Sequence, residues 1–166
     1  NDRVGLSSKI ESNLSQQKID NKPFFTMVSR VEMDKIIQEQ KLQNSGLVSD
    51  ESIVNVGELI GAGAIISGEV SPVSSSDTYF YVKRSRCADK KCKELVYYRV
   101  SCTKRLIGIS ADIKMIDIEK GDIIYADSIS KSATYTSCRD DSYTIPSKEI
   151  VAQKLANSIA DNFTYK

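Results

Sequence analysis

Hydrophobic positions along the chain switch between two periods, and each switch marks an element. Leu6, Ile10 and Leu14 recur every fourth residue and predict a helix over 4–17 with one narrow apolar stripe. Pro23 ends it, and the run PFFTMVS (23–29) reads as a buried strand. Two further helices follow. Ser29 and Glu32 form a capping box for the first, Met33, Ile36 and Ile37 share a face, and Gly46 suits a left-handed stop. Ser49 opens the second, with Asp50 and Glu51 in the first turn, where the helix dipole favours acid. Ile53, Val56, Gly57 and Ile60 make its inner face, and Gly61 closes it. A strand over 64–71 comes next, in which Gly68 marks a bulge or a close backbone approach.

Beyond this point the period becomes two. The run SPVSSSD (71–77) is loop-like. A first hairpin is predicted over 78–86 and 94–102, with a loop at 87–92, and a second over 105–117 and 123–136. Ile107, Ile109, Ala111, Ile113 and Met115 alternate with mostly polar residues, the mark of a half-buried antiparallel strand. The return strand would put Asp127 and Lys131 on the inner face, so a bulge or an edge position is expected there. A last helix spans 146–163, with Pro146 in its first turn and Val151, Leu155, Ile159 and Phe163 every four residues. The predicted fold class is α+β: a mixed, mainly antiparallel sheet with helices packed on it, in a single domain over 1–166.

The four cysteines all fall in the hairpin region. The second hairpin turns at Glu119-Lys120-Gly121, with Gly at the left-handed position. Residues facing each other across such a turn share a constant sum of residue numbers, as 118 and 122 do, and Cys102 with Cys138 has the same sum. These two should face each other at a Cα separation of about 4.5–5.5 Å, within disulfide range. Cys87 and Cys92 flank a short loop and can close it. The reading is therefore Cys87–Cys92 and Cys102–Cys138, which implies an oxidising compartment. Four free thiols or a four-cysteine zinc site are the competing readings, and the spacings lack the paired C-x-x-C knuckles of common zinc modules.

Composition mainly excludes. Net charge is +1, so bulk charge does not point to nucleic acid, and no apolar run approaches the length of a membrane helix. No signal peptide or lipid-attachment sequence is visible at Asn1, which leads to the expectation of a mature or excised fragment. Histidine is absent, which removes the commonest general base and metal ligand. Gly61-Ala62-Gly63 follows a helix and enters a strand, the reverse of a dinucleotide-binding order. Asp140-Asp141 and Asp50-Glu51 read as a turn and a helix start. No catalytic residue, metal or cofactor is assigned.

One local patch stands apart. Nine basic residues lie between Lys83 and Arg105, against two acids, Asp89 and Glu94. Lys83, Arg84, Arg86, Lys90, Lys91 and Lys93, with Tyr81 and Tyr98, are the candidate partner-binding residues; Tyr79 and Tyr97 are interleaved with them. The patch suits an acidic protein, an anionic glycan or lipid headgroups, and far less well single-stranded nucleic acid, which is not assigned as a partner. The plainer reading is a solvated hairpin whose lysines guard an edge against aggregation.

Residues 29–71 resemble the family of the curli secretion channel subunit (CsgG-like), related to the TolB amino-terminal domain fold and to lipoprotein activators of penicillin-binding proteins. Arg30, Asp34, Glu39-Gln40, Leu42, Ser45-Gly46, Gly57, Gly61-Ala62, Ile65-Ile66 and Gly68 carry the likeness, as does IKMIDIEKGDIIYADSIS (113–130). Two departures are visible. The family's opening strand and the pore-lining loop have no counterpart here, so none of their residues carries over. The segment 72–104 is shorter and more basic than the channel's hairpins, and YFYVKRSR (79–86) becomes charged on both faces after four residues, unlike a lipid-facing strand. The resemblance implies a non-catalytic periplasmic subunit of an envelope assembly of secretion, surface-fibre or flagellar-ring type. Its partners would be an envelope protein or further copies of itself. It would be associated with the outer membrane through a tether outside this chain. The alternative implied is a regulatory outer-membrane lipoprotein that activates a peptidoglycan synthase.

Overall fold

A single 23-residue strand forms the axis of the molecule. The computed structural model describes residues 4–28, 31, 54, 57, 58 and 60–165. Its elements are α1 (Leu6–Ser15), β1 (Lys18–Ile19), β2 (Lys22–Pro23), β3 (Ala64–Val70), β4 (Ser74–Cys87), β5 (Leu95–Asp117), β6 (Ile123–Cys138) and α2 (Lys148–Thr164). β5 is central. β3 and β4 lie end to end along one of its edges, and β6 pairs with the other. Every described pairing is antiparallel. The sheet is open, and the class is α+β.

The two predicted hairpins therefore share a strand. The expected break near residue 103 does not occur, because Cys102, Thr103 and Lys104 pair on both sides, with β4 and with β6. Ser74–Asp77 belong to β4 rather than to a loop. Only 71–73 interrupt the edge: three residues oppose two between the pairs Val70–Ala111 and Ser74–Gly108, a bulge that accommodates Pro72 at a sheet edge. Gly68 is not bulged. A side chain there would collide with the Asp112 carbonyl and lie 3.2 Å from Ile113 Cα, so the close approach is the reason for glycine.

The turn between β5 and β6 combines two offsets. The Asp117 N–H donates to the Asp122 carbonyl (2.9 Å), one position off the expected register, and Gly121 takes φ +71°. β6 then carries one extra residue, so Ile116 pairs with Ile123 but Met115 pairs with Tyr125. The bulge restores the expected register, and Cys102 faces Cys138. Both cysteine pairs are bonded, Cys87–Cys92 and Cys102–Cys138, with Cα separations of 4.7 and 3.9 Å.

The largest core cluster lies on one face of this sheet. Ile107, Ile109, Ala111 and Ile113 of β5, with Ile129 of β6, meet Val151, Leu155, Ile159 and Phe163 of α2. α1 packs on α2 through Leu6, Ile10 and Leu14. α2 begins at the N-cap Ser147, whose Oγ accepts from the Ile150 N–H at 3.4 Å, so Pro146 precedes the cap instead of occupying the first turn. Ala152, Ala156 and Ala160 are buried beside the large residues and let the helix sit close. Asn13 is buried, and its Nδ2 donates to Asp161 Oδ1 (2.9 Å) and Thr164 Oγ1 (3.1 Å), tying the helices together. The expected strand over 23–29 is not formed: β2 ends at Pro23, Phe24 is exposed, and 25–28 are irregular. Gly61 takes φ +66°, consistent with a helix stop, and Gly57 lies against buried Ile118. The capping box Ser29/Glu32, the stop at Gly46, the start at Ser49 and most of both predicted helices lie outside the described residues.

Candidate functional site

The hairpin β4–β5 outruns its neighbours. β6 ends at Cys138 opposite Cys102, and α2 reaches only the far half of β5. Residues 81–87 and 95–101 therefore continue as a two-stranded arm, closed at its tip by Cys87–Cys92. Tip and base are each pinned by a disulfide, which the model of loop-closure entropy values at roughly 2 and 4 kcal/mol. Asp89 is committed to the tip loop: its carboxylate accepts the Lys93 N–H (3.2 Å), and Cys92 takes φ +51°.

Strand alternation gives the arm two different faces. On the face opposite α2, Val82, Val100, Cys102 and Cys138 form a small apolar cluster. The turn after β6 crosses beside it. Arg84 Nη2 donates to Asp141 Oδ1 (2.8 Å) and Nη1 pairs with Asp140 (3.5 Å), while Tyr98 Oη lies 3.2 Å from Asp140 Oδ2. The Asp141 carboxylate also accepts the Cys138 N–H at 2.7 Å. That backbone bond, and next the Arg84 guanidinium, hold Asp141 below the usual carboxylate range, and Asp141 in turn raises Arg84. Arg86 stacks over Tyr98 at 5.7 Å.

The other face of the arm continues the plane that α2 covers further along, but no element among the described residues covers it here. Tyr79, Tyr81 and Tyr97 are 76%, 65% and 60% exposed. Lys83 sits over the Tyr97 ring at 4.4 Å and Arg99 over Tyr81 at 5.0 Å. Lys83 and Arg99 are direct cross-strand partners, two like charges in one row. One end of this face shows the neutral version of that row: Arg105 and its partner Asp77 form a bidentate ion pair, both bonds 2.7 Å, which lowers Asp77 and raises Arg105. Between Tyr79 and Cys87, and between Leu95 and Thr103, neither strand carries an acid.

The candidate residues are thus divided. Tyr81 and Lys83 lie on the open face, Arg84, Arg86 and Tyr98 on the face toward the Asp140-Asp141 turn, and Lys90, Lys91 and Lys93 in the tip loop. Arg84 and Tyr98 are already engaged within the molecule. Tyr97 and Arg99, part of the basic and aromatic patch but not among the candidates, complete the open face; the loop between the strands hides the β4–β5 register that places them there, because the tip disulfide joins Cys87 to Cys92 whereas Cys87 pairs in the ladder with Leu95.

The remaining surface offers little chemistry. An apolar recess of about 430 Å³ lies between Leu14, Ile19, Phe24, Phe25, Met115 and Phe163, with Lys18 its only charged wall among the described residues. Among the described residues, no group of three His, Cys, Asp or Glu side chains could hold a metal ion. No helix among them is long and apolar enough to cross a membrane.

A family model described as "Curli production assembly/transport component CsgG" matches residues 3–143. The match covers most of the chain, both strands of the arm and the bulged turn, and the chain belongs to this family. No curated protein matches it significantly.

Proposed function

We propose that this member of the CsgG family is a non-catalytic periplasmic subunit of a bacterial envelope assembly, and that it works by docking a protein partner on its arm. The observation that carries the reading is the open arm face, where tyrosines and unpaired-off cations project past the helix-covered sheet. Exposed aromatic and arginine side chains are the residue types that dominate protein interfaces. Two disulfides suit an oxidising periplasm. The lack of histidine supports surface recognition over acid–base work.

The test is an arm-shortened protein in which 84–98 is replaced by Asn-Gly, leaving Cys102–Cys138 in place. In the producing bacterium, the intact protein should run in envelope complexes far larger than its 18.4 kDa chain, and the shortened one should not, while its base melts normally. Complexes of equal size for both proteins, or none for either, would refute the reading.

A further inference from the structure

Backbone polarity shows that the arm has an empty strand position. In the β4–β5 ladder the Ala88 N–H donates to the Glu94 carbonyl (2.8 Å), so even-numbered residues of β5 turn their backbone groups toward β4. On the other edge the Arg139 N–H donates to the Ser101 carbonyl (3.0 Å), so odd-numbered residues turn theirs toward β6. β6 has ended by then. The N–H and C=O groups of Leu95, Tyr97 and Arg99 point along its line with no described strand to meet them. A two-stranded ribbon with such an edge is a template for a third strand.

Side-chain charge says what that strand carries. A residue added opposite Arg99 extends the row Lys83–Arg99 on the open face. The equivalent row nearer the base reads Asp77–Arg105–Tyr135, with its cation neutralised in place. The row at Arg99 has two cations and no acid, so a carboxylate in the third position makes it a compensated row. The opposite face differs, because Asp140 and Asp141 already stand beside Tyr98 and Arg84 and would repel an acid there. Resting on the docking reading above, we infer that the arm binds an extended partner segment by strand addition along Leu95–Arg99. Acidic side chains of that segment face Lys83 and Arg99, and uncharged ones alternate with them. Among the described residues, no other strand supplies this segment. β3, β4 and β6 carry one acid each (Glu69, Asp77 and Asp127), and Asp77 is already paired with Arg105.

The probe is a synthetic nonapeptide in which Glu alternates with Val and Thr; the control replaces each Glu with Lys. The isolated chain is titrated with each, and backbone amide exchange is followed by NMR. The Glu peptide should bind and slow exchange of the Tyr97 and Arg99 amides about tenfold or more, leaving those of Tyr98 and Val100, already paired with β4, unchanged. The Lys peptide should do neither. Lys83→Glu with Arg99→Glu, checked for an unchanged melt, should reverse the preference. Absence of binding overturns the inference, as does protection that falls on Tyr79, Tyr81 and Lys83 along the outer edge of β4. Binding of phosphatidylglycerol vesicles in preference to the Glu peptide, with no amide protected, assigns the face to lipid instead. Because the titration uses the isolated chain, an arm-dependent envelope complex without peptide binding rejects strand addition alone and leaves the docking reading standing.

Discussion

Residues 107–115 and 95–101 are two halves of one strand with opposite surroundings. In the first half the odd-numbered side chains Ile107, Ile109, Ala111 and Ile113 are buried under α2. In the second half the same face carries Leu95, Tyr97 and Arg99, all exposed. Strand conformation alone does not distinguish them, because β5 stays extended through both, although β6 pairs only with the first. Side-chain chemistry does: the half that pays for folding through apolar burial is aliphatic, and the half that does not is aromatic and cationic. A strand kept ordered without a core beneath it has to be held by other means, here two disulfides and the Asp141 turn.

The sharpest way to break this contrast is at the junction. Replacing Cys102 and Cys138 together with Ala should lower unfolding free energy by about 4 kcal/mol, read by denaturant titration, since the bridge closes a long loop at the point where both halves meet. An unchanged midpoint would mean that the base holds without the bridge. Within the base, Ile159→Ala removes a side chain with no exposed surface and should cost about 2–5 kcal/mol in the same titration. In the arm, replacing Cys87 and Cys92 with Ala should cost at most about 2 kcal/mol, and only locally. Amide exchange should quicken across 81–87 and 95–101 while the base keeps its melting temperature. If the tip substitution lowers the global melt as much as the junction one does, arm and base unfold as one unit and the contrast between them is wrong.

The two halves also differ in how far the sequence disclosed them. The base was readable because burial imposes a period. The four-residue spacing from Val151 to Phe163 and the two-residue spacing from Ile107 to Met115 each predicted the face that the structure buries. The facing of Cys102 and Cys138 was readable too, but through an accident of compensation: a turn one residue longer than expected is cancelled by the extra residue in β6. The arm was only half readable. Its charge and its tyrosines are plain in the sequence, but their division between faces depends on the β4–β5 register, and the loop 88–94 gives no count that fixes it. Its apolar cluster, Val82 and Val100 beside the base disulfide, is too short to impose one. The strand over 23–29 failed for the opposite reason, as PFFTMVS has the apolar content of a strand but no partner to pair with among the described residues.

The smallest expected effect lies in acid, and it separates the two faces of the arm. Asp141 is held below its ordinary value of 3.8 by the Cys138 N–H and by Arg84. Because the folded chain holds this proton more weakly than the unfolded one, the carboxylate stabilises the turn fully above that ordinary value. The contribution disappears as pH falls through Asp141's own lower value. Acid should therefore free the Asp140-Asp141 turn from Arg84 and Tyr98, seen as shifts of the Arg84 side-chain and Tyr98 ring signals, with salt weakening the effect because the pair is solvent-accessible. Asp141→Asn keeps an oxygen for the Cys138 N–H but loses the charge, so its signals should already resemble the acid form at neutral pH and should move little on acidification. The Lys83–Tyr97 and Arg99–Tyr81 contacts on the open face contain no carboxylate and should stay unmoved over the same range. Equal acid response on both faces would show that the arm titrates as a unit, and that the Asp141 turn does not set one face apart from the other.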